Sequence, residues 1–578
     1  MKSRLWDILP GDESAASELA RQINTSSLTA QVLMNRGLVA ADACKSFLNP
    51  QLKDLIDPAL IPGLTVGAER IARAVRDKEK IVIYGDYDVD GITATTILWH
   101  ALRLLGGDVH YYIPHRVDEG YGLNTESIIQ LASEGAKLII TVDCGVTAVE
   151  PVKAARERGV DVVISDHHDW KDELPDATAI VHPRLPLPGF SYANPHLCGA
   201  GVAFKLAWGV GQAMGVGGRV PEAMKWFLVD ATALAALGTI ADVVPLIGEN
   251  RVLARFGLGG LKQTKLEGLR ALIAGAQLDG QTIDSFHVGF LLAPRLNACG
   301  RMGHAKLAVE MLTDANAARA AEIATYLETQ NRQRQAVERG IVEEAVAMAI
   351  ELGDTAEDSR AIVLAKKGWH QGVIGIVASR LVDRFHKPTV LIALDEDGTG
   401  HGSARSVAGF HLAKAFTACG EHLTRHGGHE MAAGLAIAPG KFDDFRAAFI
   451  AHATATLGSN PLVPTLRVDV IARLDQVSEA LCKEMDRLGP FGNGNPRPML
   501  ACEDLTLTAA PRRVGKNGDH LQLHVRQGER FMKAIAFNAA ALLDKLQPGT
   551  SISLAVLPQI NEFNGRISVE LEVKDIRV

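Results

Sequence analysis

Between Lys80 and His168, three apolar runs of strand length each end on Asp or His, residue types able to ligate a metal. A chain patterned this way has few folds open to it. Lys80–Tyr84 runs into Gly85-Asp86-Tyr87-Asp88-Val89-Asp90-Gly91, Lys137–Val142 into Asp143, and Asp161–Ser165 into Asp166-His167-His168. The segments between read as helices over Ile92–Leu105, Thr125–Glu134 and Thr147–Arg158, with a further strand at Val109–Ile113. Repeated βα units predict a parallel, doubly wound sheet. Ligands of such sheets bind outside the carboxyl ends of the strands, so the three clusters are expected on one edge.

Asp86, Asp88 and Asp90 alternate, so extended chain turns them one way, and anions that close repel unless a cation lies among them. Gly91 permits a tight turn into a helix N-terminus. Asp242, within Gly238-Thr239-Ile240-Ala241-Asp242, is a fourth candidate, because an unpaired carboxylate in an apolar stretch is costly to bury. An EF-hand loop is excluded: its twelfth position is Ile97 where a Glu is needed, and a strand precedes it. A solvated acidic turn accounts for one cluster and not for four. Carboxylates with imidazole form a hard O/N set suited to Mn²⁺ or Mg²⁺ and ill matched to copper or structural zinc.

Composition removes several classes. The chain has 578 residues, 47% hydrophobic and 22% charged, which fits globular domains, about four at ~150 residues each. Seven scattered cysteines without a CxxC exclude a disulfide framework and a zinc ribbon, and fit a reducing cytosol. No uninterrupted apolar run reaches the ~18 residues of a membrane span, and residues 1–14 carry no signal-peptide pattern. The expected location is cytoplasmic, with no membrane contact. A net charge of −7 argues against coating duplex DNA by charge alone, so any nucleic acid must be held in a local groove.

Along the chain, residues 1–75 read as an N-terminal helical region and 76–315 as the sheet lobe, helical from Gly201 onward and interrupted by a loop around Pro294–Gly303. Residues 316–350 read as one connecting helix, and 351–460 as a smaller α/β lobe with strands Ala361–Ala365, Thr389–Leu394 and His401–Arg405. Residues 465–578 read as short strands with Asn-Gly turns at Asn517–Gly518 and Asn564–Gly565.

Asp88-Val89-Asp90, Asp143 and Asp166-His167-His168 together resemble the DHH phosphoesterase family. The longer run Tyr84 to Gly91 resembles its bacterial RecJ branch of single-strand exonucleases, and further stretches follow in the same order. These are Ala293-Pro294-Arg295-Leu296-Asn297-Ala298-Cys299-Gly300-Arg301-Met302, Ser403-Ala404-Arg405-Ser406, Gly427-Gly428-His429, and Pro490-Phe491-Gly492-Asn493-Gly494-Asn495-Pro496. The resemblance implies a DHH lobe and a DHHA1 lobe joined by a long helix, with a C-terminal OB-type barrel. It departs from smaller DHH phosphatases at Tyr84, where those place a histidine ligand; Asp86 is the substitute here.

Carried over residue by residue, Asp90, Asp143, His167 and Asp242 form one metal site, and Asp88 with a bridging Asp143 belongs to the other. Two ions about 3.5–4 Å apart then serve an in-line phosphoryl displacement, with His168 donating to a phosphate oxygen or the leaving group. Arg116, Arg295, Asn297, Arg301, His370, Ser403, Arg405, Gly427, Gly428 and His429 are the substrate-binding candidates. Arginine forks and close-approach backbone suit phosphate. Arg512, Arg513, Lys516, Arg526, Arg530 and Lys533 interleave with His520, His524, Phe531 and Phe537, a pattern suited to single strands.

The implied activity is 5′→3′ exonuclease digestion of single-stranded DNA in repair and recombination. The enzyme is expected to be a monomer working beside a single-strand-binding protein and a helicase. Two rivals stand beside it. A phosphodiesterase for short oligonucleotides or cyclic dinucleotides leaves the barrel without a use. A non-catalytic replication scaffold has no need of clustered anions.

Overall fold

The computed structural model describes residues 4–115, 119–120, 122–189, 191–301, 305–563 and 565–578. They divide into two compact units, residues 6–328 with 467–578, and residues 4–5 with 329–466.

In the first unit, five parallel strands lie in the spatial order Asp108–Tyr112, Lys80–Tyr84, Leu138–Val142, Asp161–Ser165, Ala179–Val181. Alternate residues of each strand face opposite sides, so both faces can be apolar. Ile81, Ile83, Leu138 and Ile140 pack with the helices Leu64–Arg76, Val89–Leu104, Gly199–Met214 and Glu222–Ala241. Val82, Tyr84, Ile139 and Val162 pack with Thr125–Ser133 and Val149–Arg156. The strand order reverses between Lys80–Tyr84 and Leu138–Val142, and at such a switch point the flanking loops part to leave a crevice. Glu222–Ala241 is long and apolar enough to cross a membrane by length and composition, but Leu228, Leu234 and Leu237 are buried against protein.

The C-terminal segment of this unit closes on itself. Leu500–Leu507 pairs with Ser551–Phe563, which pairs with Arg566–Arg577, then Arg530–Ala536, then His520–Gln527, which returns to Leu500–Leu507. Five strands in a ring are the OB-type barrel expected. Its last two strands, of 13 and 12 residues, are long where short ones were expected. Asn517–Gly518 sits in the loop between Arg512–Val514 and His520–Gln527; Asn564 of the second expected turn lies outside the described residues. The helices Glu13–Ile23 and Ser27–Asn35 do not form a region apart: Leu19, Ile23, Leu28 and Leu33 share one core with Leu500, Leu523 and Leu554 of the barrel.

The loop expected around Pro294–Gly303 is mostly helix. Ser285–His287 continues through a π-helical stretch, Val288–Leu292, into Ala293–Arg301. A proline inside an α-helix clashes with the preceding turn; here the wider π turn just before Pro294, closed by Ala293 N–H donating to Val288 O, accommodates it.

The second unit contains a five-stranded sheet in the order Arg425–Gly428, Ala432–Ile437, Gly400–Arg405, Thr389–Leu394, Ile362–Lys367. Only the last pair is parallel. The helix Ala317–Glu351 spans the division between the units at residue 328.

Candidate metal centre

The switch point gathers the carboxylates. Asp88 caps the helix Val89–Leu104, its Oδ1 accepting from the N–H groups of Asp90 and Gly91, which turns Asp86, Asp88 and Asp90 toward the end of the sheet. Gly91 is required there, since a Cβ would lie 2.7 Å from Asp86 backbone and Cβ atoms. Asp143 leaves its strand with φ +62, a left-handed conformation that aspartate tolerates better than most residues. Asp242 ends the helix Glu222–Ala241.

The ligand atoms fall into two overlapping sets. His167 Nε2 lies 3.1 Å from Asp143 Oδ1, 3.7 Å from Asp90 Oδ2 and 3.8 Å from Asp242 Oδ2. Asp86, Asp88 and Asp143 form the second set, their oxygens within 4.8 Å of one another. Asp143 belongs to both. His168 is brought beside them, its Nδ1 3.9 Å from Asp143 Oδ1. Tyr84 is buried on the opposite face of the sheet, its hydroxyl donating to Gly122 O and accepting from Asn124 N–H.

The electrostatics suit a cation. Burial, followed by repulsion from Asp90, Asp88, Asp86 and Asp242, holds the Asp143 carboxyl well above the usual range. Asp90 is raised by burial against the opposing pull of His167, and burial with Asp90 and Asp88 pushes Asp242 up to about 8. Buried anions that raise one another's pKa values fit divalent ions bound by oxygen and imidazole. Burial lowers His167 to about 4, leaving it neutral, the form that ligates.

Asp166 has another task. Its Oδ2 accepts from Val146 N–H, and its Oδ1 from the backbone N–H groups of His167 and His168 and from His168 Nδ1. Burial opposes its charge, but the His168 hydrogen bond and charge outweigh it and hold the carboxyl at about 2. In return Asp166 overcomes the burial of His168 and lifts it to about 9.

Sequence reasoning missed the helix N-terminus behind Asp90. Gly199 and Ala200 N–H groups donate to its Oδ2 and Oδ1 at 2.5 and 2.8 Å, the usual way such an end holds an anion. Close approach reinforces it. A Cβ on Gly199 would lie 2.6 Å from Asp143 Cβ, and one on Gly238 2.5 Å from Asp90 Oδ1. The small-residue run Cys198-Gly199-Ala200-Gly201 was the available signal.

Of the substrate candidates in this unit, Asn297 Oδ1 accepts from Val89 N–H at 3.1 Å, fastening its helix to the acidic loop. The Arg295 guanidinium is taken up internally by Leu291 O and Glu328. Arg116 and the side chain of Arg301 lie outside the described residues. In the second unit, Arg405 Nη1 donates to Ser403 Oγ at 3.2 Å, next to Gly375 of the helix Gln371–Phe385. His370 caps that helix, its Nδ1 accepting from Gly372 N–H. Gly427 and Gly428 lie on the exposed edge strand, followed by His429, whose N–H donates to Ala432 O.

Comparison with known proteins places these features in context. The family model for the DHH family, N-terminal domain, matches residues 80–238, that for the DHHA1 domain residues 358–454, and that for the RecJ OB domain residues 468–575. The single-stranded-DNA-specific exonuclease RecJ of Bacillus subtilis is 39% identical over 99% of this chain and 71% of its own. That of Dickeya dadantii is 34% identical over 92% of this chain and 93% of its own. The crystal structure of RecJ from Thermus thermophilus in complex with Mn²⁺ superposes with a TM-score of 0.85 at 30% identity, covering 100% of this chain and 80% of that one. The Mg²⁺ complex gives a TM-score of 0.78.

Proposed function

The chain belongs to the RecJ family of single-stranded-DNA-specific exonucleases, and from that premise we propose that it hydrolyses single-stranded DNA from the 5′ end with two bound Mn²⁺ or Mg²⁺ ions. The observation that carries the reading is Asp143, whose carboxylate groups with Asp86 and Asp88 and also lies 3.1 Å from His167 Nε2. Asp90, His167, Asp242 and Asp143 hold one ion; Asp86, Asp88 and Asp143 hold the other. The ions, when bound, activate water and stabilise the attacking and leaving oxygens of an in-line displacement.

The remaining steps rest on the chain's own residues. Gly199 and Ala200 N–H groups fix both oxygens of Asp90, so that ligand does not swing during turnover. Asp166 favours the protonated form of His168 and holds its Nδ1, leaving Nε2 to donate to a phosphate oxygen or the leaving oxygen. Ser403, Arg405, Gly427, Gly428, His429 and His370 make the DHHA1 lobe the holder of strand phosphates; Arg116 and Arg301 are further candidates by sequence alone.

We assign residues 76–315 to catalysis, 316–350 to the connecting helix, 351–460 to substrate binding and 465–578 to strand binding. In the last, exposed Phe531 lies under Arg526 and exposed Phe537 against His520, which offers exposed rings, one of them beside a cation. On this reading a helicase opens duplex ends and single-strand-binding protein attends the strand, as repair and recombination require. All seven cysteines are buried, and the reading keeps the enzyme in a reducing cytoplasm. Digestion of single-stranded and duplex DNA with Mn²⁺, and again in chelator, tests the reading. Breakdown of the single strand alone, and only with metal, is expected; metal-independent or duplex-preferring breakdown overturns it.

A further inference from the structure

Asp242 is followed by Val243 at φ +60, a conformation that a β-branched residue adopts only where its surroundings hold it. The turn Val243–Leu246 is gripped from two sides. On one, Asn250 Nδ2 donates to Pro245 O at 3.0 Å. On the other stands the loop 490–496 of the C-terminal segment. Asn493 Nδ2 donates to Val243 O at 2.7 Å, and Leu246 N–H donates back to Asn493 O at 2.8 Å. The flanking glycines let the two segments meet: a Cβ on Gly492 would lie 2.7 Å from Leu246 Cδ1, and one on Gly494 2.9 Å from Pro245 Cβ. Asn495 Nδ2 folds the loop on itself by donating to Leu488 O and Pro490 O.

We propose that Asn493 is a positioning residue for Asp242, so that the C-terminal segment completes the metal centre as well as binding the strand. The left-handed turn at Val243 swings its carbonyl out to the Asn493 amide, and that bond fixes the backbone one residue from the ligand. Only a donor of this reach serves; an aspartate would set oxygen against oxygen. The inference rests on the two-ion reading above, and it makes Asn493 matter to the ion held by Asp90, His167 and Asp242 and not to the ion held by Asp86 and Asp88.

The test is Mn²⁺ titration of the full chain by electron paramagnetic resonance, for wild type, Asn493→Ala and Asn493→Asp. Groups that orient a metal ligand alter affinity 10–100-fold. Both variants should therefore lose about tenfold or more in affinity for one ion and keep the other. The metal-free unfolding midpoint should stay at the wild-type value, since Asn493 is exposed. At limiting Mn²⁺ kcat should fall, and excess Mn²⁺ should restore it without a change in KM for the strand. Wild-type affinity for both ions in both variants overturns the proposal, as does joint loss of both ions with a lowered midpoint, which marks a merely structural residue. A wild-type chain that binds fewer than two ions overturns the two-ion reading itself.

Discussion

His168 Nδ1 lies 2.8 Å from Asp166 Oδ1, and this one carboxylate oxygen also receives the backbone N–H groups of His167 and His168. The pair fixes the ring and its charge together. His168, lifted to about 9 against its burial, stays a donor through neutral pH. Asp166→Asn removes the negative charge, so the imidazolium should lose its proton at a lower pH, toward the ordinary value near 6.5. The pH–rate profile at saturating Mn²⁺ checks this. The alkaline limb should move down in the variant, and an unmoved limb rules out His168 as the donor.

Metal removal has a signed consequence for stability. Asp90, Asp143 and Asp242 are raised above the ordinary carboxylate value, so the metal-free folded chain holds protons that the unfolded chain has released. Where the folded state binds more protons, stability falls as pH rises. For Asp242 that window runs from 3.8 up to about 8. Scanning calorimetry of chelated protein should therefore show a midpoint that declines from pH 5 to pH 8. Mn²⁺-loaded protein should lose that decline and release protons on loading. Asp143→Ala should abolish turnover and two-ion binding while the metal-free midpoint holds or rises, because it deletes a buried carboxyl whose ionisation burial and its acidic neighbours oppose.

Two glycines are predicted to be as sensitive as the ligands. Gly199→Ala and Gly238→Ala each drive a methyl within 2.6 Å of Asp143 or Asp90 atoms. Crowding of this kind costs about 1–3 kcal/mol where the neighbours can shift, and here the neighbours that shift are metal ligands. Mn²⁺ affinity and kcat should both drop at least tenfold with the fold retained by circular dichroism; wild-type kinetics in either variant would mean that the site tolerates displaced carboxylates.

Much of this architecture is written in local pattern. The alternation that puts Ile81 and Ile83 on one face and Val82 and Tyr84 on the other is readable as strand, and the strand ends name the acidic clusters. What the sequence hides is non-local. The small residues around Gly199 signal a close approach but not that its N–H meets Asp90, 109 residues earlier. Leu19 and Leu33 read as an ordinary helical core and not as part of the barrel's. Arg295 reads as a free cation until Glu328 is folded against it. Pro294 reads as a loop because the π turn that admits it has no sequence signature.

The second unit carries a prediction of its own. Burial lowers Arg405 below its ordinary value, and its guanidinium is shared with Ser403 Oγ and Ala404 O. An arginine held in place this way is ready to receive a phosphate. Arg405→Ala should reduce digestion of 5′-phosphorylated strands by about 1.5–3 kcal/mol, roughly tenfold or more, the worth of a charged hydrogen bond. Strands ending in a 5′-hydroxyl should be affected less, and Mn²⁺ affinity should not change. Competition kinetics with the two substrates read the difference directly, and equal loss on both would remove Arg405 from end recognition.

The central claim is a two-ion exonuclease that enters a single strand at its 5′ end, and one digestion decides it. A single-stranded oligonucleotide labelled at the 5′ end in one sample and at the 3′ end in another is incubated with the chain and Mn²⁺, and the products are resolved over time. The 5′ label should leave at once as mononucleotide or very short product, while the 3′-labelled strand shortens progressively, and both patterns should vanish in chelator. Immediate release of the 3′ label, or internal cutting that leaves both labels on mid-length fragments, contradicts the account.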